Sequence, residues 1–193
     1  KKQAHDIAME FSDFTDGFRV LLLLQRTKDG GHNSEDKRVF ETYTTSSSEE
    51  FEQKLFNLLL IKSTSTVSTR IYSSLNARDP RKVIRYIEKQ LLELHYSSEE
   101  MRDSVQRKLL GKQRHFLMQY ECRAESLFLI DIDDEEGKDT QGIALSKMDE
   151  LGVEEIKRYR TKNGWHFIVK PFNLGLWDCL GEVKKDSLIL LDY

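Results

Sequence analysis

The sequence predicts an α/β fold of the α+β kind, with a hairpin-and-helix N-terminal module packed on a split βαβ sheet. Three observations carry this. Apolar runs at Val20 to Leu24 and Leu127 to Ile132 have the length and composition of buried strands. Asp29-Gly30-Gly31 and Asn163-Gly164 are tight-turn signals between strand-like segments. From Ser126 onward the segments run strand, helix, strand, strand, helix, strand, the ferredoxin-like order.

In chain order, Lys1 to Phe14 reads as a short helix anchored by Ile7, Met9, Phe11 and Phe14. Phe18 to Gln25 is a strand, Thr27 to Asn33 a turn, and Arg38 to Thr44 the returning strand, with Val39, Glu41 and Tyr43 alternating. Ser46 to Glu50 supplies an N-cap for a helix with Phe51, Leu55, Leu58 and Leu59 on one face. Arg70 to Asn76 is a strand. Asp79 and Pro80 then cap and open a helix carrying Val83, Ile84, Ile87, Leu91 and Leu94. Ser97 to Glu100 opens a helical stretch from Met101 to about Leu110, and His115 to Cys122 is ambiguous. Leu127 to Ile132 is a strand, Asp134 to Asp139 an acidic loop, and Ile143 to Leu151 a helix. Glu155 to Arg160 and Trp165 to Lys170 are strands about Asn163-Gly164. Asn173 to Leu180 is a short helix and Ser187 to Leu191 the last strand. Residues 1–125 thus form the N-terminal portion and 126–193 the split βαβ portion.

The 193 residues suffice for one substantial core or two small lobes. A chain 38% hydrophobic and 33% charged is expected to be globular. Its net charge of −3 argues against a non-specific nucleic-acid coat protein, while leaving room for an enzyme with a local basic groove. No apolar run approaches the ~20 residues needed to cross a bilayer, and the start, Lys1 to Asp6, has no signal-peptide character. The expected setting is therefore cytoplasmic, without membrane partners. Cys122 and Cys179, without motif spacing, fit reduced intracellular thiols.

The chemistry concentrates at Ile130-Asp131-Ile132-Asp133. Alternation puts Asp131 and Asp133 on one strand face. Half-buried like charges need a counter-charge, either a basic partner or a divalent cation such as Mg²⁺ or Mn²⁺. In a split βαβ sheet the first and third strands are antiparallel neighbours. His166, just after Asn163-Gly164, is therefore expected beside the two carboxylates.

These segments resemble archaeo-eukaryotic primases and primase-polymerases. Ile130-Asp131-Ile132-Asp133 is similar to their first motif. Thr161 to Ile168 is similar to the second, a small residue, any residue, then His, with Gly164 standing where the family has Ser. Leu188 to Asp192 is similar to the third, an apolar strand ending in Asp. The resemblance implies an RRM-like catalytic sheet beside an N-terminal α/β module, and template-directed nucleotidyl transfer. Asp131, Asp133 and His166 would be the catalytic residues. Asp131 and Asp133 would ligate Mg²⁺ or Mn²⁺, with Asp192 or Asp186 as third ligand, and His166 would meet the incoming nucleotide. Nucleoside triphosphates, a single-stranded template and a helicase or other replication protein are the implied partners.

Basic residues extend the expectation. Arg158, Arg160 and Lys162 lead towards His166, and Asn76 and Arg78 lie at a strand-to-helix turn; both groups are candidate nucleotide or template contacts. Trp165 and Tyr72 are candidate stacking or packing residues. Two other functions remain open: a non-catalytic RRM-like nucleic-acid-binding or replication-accessory module, and a metal-dependent phosphodiesterase.

Overall fold

A computed structural model describes residues 17–25, 38–96 and 116–192, with the side chains of residues 38–41, 94 and 192 left aside. The helix expected before Phe14, the turn at 27–33 and the helical stretch from Met101 lie outside the described residues. The chain forms two compact units, one made of Lys1–Glu125 with Leu188–Tyr193, the other of Ser126–Ser187. It is an α+β protein whose sheets are antiparallel.

The first unit holds the strands β1 (Arg19–Gln25), β2 (Arg38–Thr45), β3 (Arg70–Ser74) and β8 (Leu188–Asp192), in the order β2-β1-β3-β8. Helix α1 (Ser48–Thr64) starts at Ser47, whose side chain accepts from the Glu50 N–H. Ser46 N–H in turn donates to the Glu50 carboxylate at 2.8 Å, closing a reciprocal cap. Phe51, Leu55 and Leu58 of α1 pack on Leu21, Leu23, Ile71 and Leu191. Val20, Leu22 and Leu24 of β1 face the other way, against Phe18, Tyr72 and Leu188. Burial on both faces explains why β1 is a continuous apolar run rather than an alternating one.

Helix α2 (Pro80–Tyr96) begins as its Asp-Pro signal predicts, with Asp79 accepting from Arg81 N–H at 2.8 Å. Arg19, 2% exposed, donates to the carbonyls of Leu75 and Ser74 and pairs with Glu125 at 3.0 Å.

The second unit holds β4 (Phe128–Asp133), α3 (Thr140–Glu150), β5 (Glu155–Arg160), β6 (Gly164–Val169) and β7 (Glu182–Lys184), in the strand order β5-β6-β4-β7. Phe128, Ile130 and Ile132 of β4 and Phe167 and Val169 of β6 bury one face against Ala144 and Met148 of α3. Helix α3 starts three residues before the expected Ile143, because Asp139 caps it by accepting from Gly142 N–H.

Two expectations are corrected here. The helix expected over Asn173 to Leu180 is a single 3-10 turn, Leu174–Leu176, capped by the Asn173 side chain. Gly175 weakens helix there, and Leu174, Trp177 and Leu180 gain more by packing on the core of this unit. The last strand does not complete the second sheet. β8 pairs with β3, Tyr72 opposite Leu190 and Ile71 opposite Asp192, so residues 188–193 belong with the first unit. The fourth strand of the second sheet is β7, three residues long with Val183 its sole apolar member.

Candidate functional site

One row of side chains crosses the second sheet from edge to edge. In register, Tyr159 of β5 lies opposite His166 of β6, His166 opposite Asp131 of β4, and Asp131 opposite Glu182 of β7. Directly opposed residues share a face. All four therefore stand on the side away from Phe128, Ile130 and Ile132, which pack towards α3.

The backbone that aligns the row depends on two glycines. A Cβ on Gly164 would sit 1.9 Å from the Ile132 carbonyl oxygen and 2.8 Å from Asp133 Cα, so β6 can start beside β4 only without a side chain. This is the position where the resembling family has Ser. Gly181 has φ of +91°, and a Cβ there would meet the Asp131 carbonyl at 2.6 Å. Its conformation lets β7 enter against Asp131.

Asp131 is the hub. His166 Nε2 lies 3.0 Å from its Oδ1, and Lys184 Nζ lies 2.6 Å from its Oδ2. Lys184 also reaches Glu182 at 3.3 Å. The Tyr159 hydroxyl is 2.7 Å from His166 Nδ1, with the two rings edge-to-face. The hydrogen bond from His166, reinforced by Lys184, holds the Asp131 carboxyl far below the usual carboxylate range despite its partial burial. Burial pushes the Tyr159 phenol far above its ordinary value, and the Asp131 charge adds to this. Burial alone would lower the Lys184 ammonium; the bonds to Asp131 and Glu182 outweigh it, and the net shift is upward.

Nucleophilic use of Tyr159 can be weighed on the same geometry, because phenol, imidazole and carboxylate in line imitate a nucleophile, base and orienter. Tyr159 is 6% exposed, and its raised pKa disfavours the phenolate. Buried and bonded to His166 Nδ1, it is not placed as an attacking group.

Asp131 and His166 therefore meet as expected from the strand pairing. Asp133 is exposed at the end of β4, two residues on and on the same face. The arginines do not join them. Arg158 and Arg160 are opposite Phe167 and Trp165, and so occupy the other face of β5. Arg160 forks onto Asp134 and lies 5.3 Å over the Trp165 ring, while Arg158 is 3.6 Å from Glu155. Lys162 is exposed in the β5–β6 turn. Asn76 and Arg78, in the first unit, are fully buried; Arg78 donates to the Gln119 carbonyl and the Met118 sulfur. Its backbone bridges Phe18 and Arg123. Asp192 ends β8 in the first sheet, and Asp186 sits in the bend two residues after Lys184. Trp165 packs in the core of the second unit, and Tyr72 against that of the first.

Tyr159, Lys184 and Glu182 are the members that sequence reading missed. A signal existed for Lys184: a half-buried carboxylate calls for a cation, and of the two remedies this one is internal. Among the described residues, no group of three or more His, Cys, Asp or Glu is placed to hold a metal ion. None of their helices is long and apolar enough to cross a membrane. No family model, curated protein or solved structure matches the chain.

Proposed function

We propose that the chain is a template-directed nucleotidyltransferase of the primase-polymerase type. The observation that carries this reading is the Asp131–His166 pair, side by side on adjacent strands at 3.0 Å with Asp133 on the same face. The strand order β5-β6-β4-β7, with α3 between β4 and β5, is compatible with the expected split βαβ order and supports the reading further, although the second crossover holds a 3-10 turn in place of a helix.

The donor set fits Mg²⁺ or Mn²⁺ that arrives with a triphosphate rather than a prebuilt cage. Mg²⁺ is commonly held by one or two carboxylates plus substrate phosphates. Asp131 is anionic, each of its oxygens keeps a further lone pair, and Asp133 is exposed beside it. Asp131 and Asp133 would hold the ion, and bound there it would neutralise phosphate charge and lower the pKa of the attacking hydroxyl. The remaining roles belong to the chain. His166 and Lys184 hold Asp131 charged and oriented. Lys184, 31% exposed, has N–H donors within reach of an entering phosphate. A 3′-hydroxyl, or that of a first nucleotide, attacks the α-phosphate and pyrophosphate leaves.

One observation favours a second reading, a non-catalytic nucleic-acid-binding module: both Asp131 oxygens already have internal partners. The usual stacking surface of such modules is lacking, since the face of β4 and β6 away from α3 carries Leu129 and Ile168, both buried, with Asp131, Asp133 and His166, and no Phe, Tyr or Trp. Incubation with nucleoside triphosphates, a primed single-stranded template and Mn²⁺ separates the readings. Extension that is lost in Asp131→Asn/Asp133→Asn supports polymerase chemistry. Strand cleavage points to a phosphodiesterase, and metal-independent binding without turnover to the accessory module.

A further inference from the structure

We infer that His166 is a positioning residue acting through Asp131, which imposes the Nε2-protonated tautomer and makes Tyr159 the donor to Nδ1, and that it does not itself contact substrate. The inference deepens the proposed polymerase function, and its spectroscopic test does not depend on that function.

Both ring nitrogens of His166 are engaged. Nε2 is 3.0 Å from Asp131 Oδ1 and Nδ1 is 2.7 Å from the Tyr159 oxygen. A neutral imidazole has one donor and one acceptor nitrogen, so the two bonds are coupled. Asp131 can only accept, which assigns the proton to Nε2. Nδ1 then accepts, and the Tyr159 hydroxyl must donate to it. Tyr159 is well placed to donate, being 6% exposed, opposite His166 in register, and packed edge-to-face against it with centroids 5.1 Å apart. The relay runs in one direction, from Tyr159 O–H through His166 to Asp131, and Lys184 closes it at the other carboxylate oxygen. A phosphate reaching for His166 would have to break one of these bonds. Exposed to a ligand on this face are Asp133, Glu182 and one side of Lys184.

The test is a long-range ¹H–¹⁵N correlation spectrum of the full chain at about pH 8, where an ordinary histidine is neutral. The His166 signal is assigned by its loss in His166→Gln. The expected wild-type spectrum has the proton on Nε2 alone. Asp131→Asn, whose amide can donate as well as accept, should give a mixture of tautomers, whereas Tyr159→Phe, which keeps the ring and removes the donor to Nδ1, should leave the proton on Nε2. In the extension assay Tyr159→Phe should lower kcat about tenfold, the usual scale for a partner behind a ligating residue, with the nucleotide KM unchanged. A wild-type ring protonated on Nδ1, or on both nitrogens, overturns the inference. So does a single Nε2-protonated tautomer retained in Asp131→Asn, a shift of the proton to Nδ1 in Tyr159→Phe, or a rise in KM without a fall in kcat. If neither variant folds, the wild-type spectrum decides alone. If the wild type extends nothing, the proposed function fails while the spectrum still decides the relay.

Discussion

Replacing Asp131 with Asn removes the charge at the centre of the row while keeping its shape. Asp131 accepts two charge-assisted bonds, at 3.0 Å from His166 and 2.6 Å from Lys184. Such bonds each contribute about 1.5–3 kcal/mol when enclosed. The Asp131 side chain is 30% exposed, so screening reduces the pair to roughly 2 kcal/mol. An amide retains one acceptor and turns an N–H towards a remaining donor, so most of that contribution is lost. The only two tryptophans, Trp165 and Trp177, both lie in the second unit, so their emission in urea follows that unit specifically. With an m-value of about 1 kcal/mol/M for so small a unit, the midpoint should fall by about 2 M. The pH dependence follows from the depressed folded-state pKa of Asp131. Its stabilisation is complete above the unfolded value, about 3.9, and is lost as pH falls towards the folded value. The gap between wild type and Asp131→Asn should therefore be constant near neutrality and narrow below about pH 4. Asp133→Asn, at an exposed strand end, should change stability by less than about 0.5 kcal/mol. Equal midpoints for wild type and Asp131→Asn at pH 7 would refute this account of the hub.

Lys184→Met should destabilise the second unit by about 1 kcal/mol at neutral pH, and acid unfolding should start at higher pH because Asp131 loses a cation that depresses its pKa; tryptophan emission against pH checks both. Gly164→Ala should cost about 3 kcal/mol, since the clash at 1.9 Å is with backbone rather than a side chain that can turn away; a urea midpoint within error of wild type rejects the close approach. Arg19→Met removes the donor to the buried Leu75 carbonyl and the cation beside Glu125, which keeps the Ala77 N–H, and should speed amide exchange in β1 and β3 through a loss of about 2 kcal/mol.

Much of this architecture could be read from local chemistry. The run Val20 to Leu24 is apolar at every position because β1 is covered on both faces. Ser47, Asp79 and Asp139 cap the helices as their residue types suggest. The encounter of Asp131 with His166 followed from two antiparallel central strands and a short turn at Asn163-Gly164. Parity around that turn also determines who faces whom. Arg160 opposite Trp165 makes Tyr159 the partner of His166 and turns both arginines away, a deduction available before any coordinates. Other features leave no such trace. Three residues with one apolar side chain do not announce a strand, so β7, with Glu182 and Lys184, was invisible to periodicity. The apolar run of β8 was legible as a strand, but hydrophobicity does not say which sheet will receive it. The burial of Arg78 depends on chain segments at Phe18 and Met118 that no local pattern links to it.

The return of β8 to the first sheet makes Ser126–Ser187 an insertion within another unit's chain. On the ribosome, every strand of the inserted unit has emerged before the edge of β3 receives its last neighbour. The first sheet is thus begun before the inserted unit and completed after it. Until residues 188–192 arrive, β3 offers unpaired backbone amides and carbonyls along one side, a ribbon ready for any other extended segment. A chain that stalls before β8 would carry every strand of the inserted unit and a first sheet still open along β3.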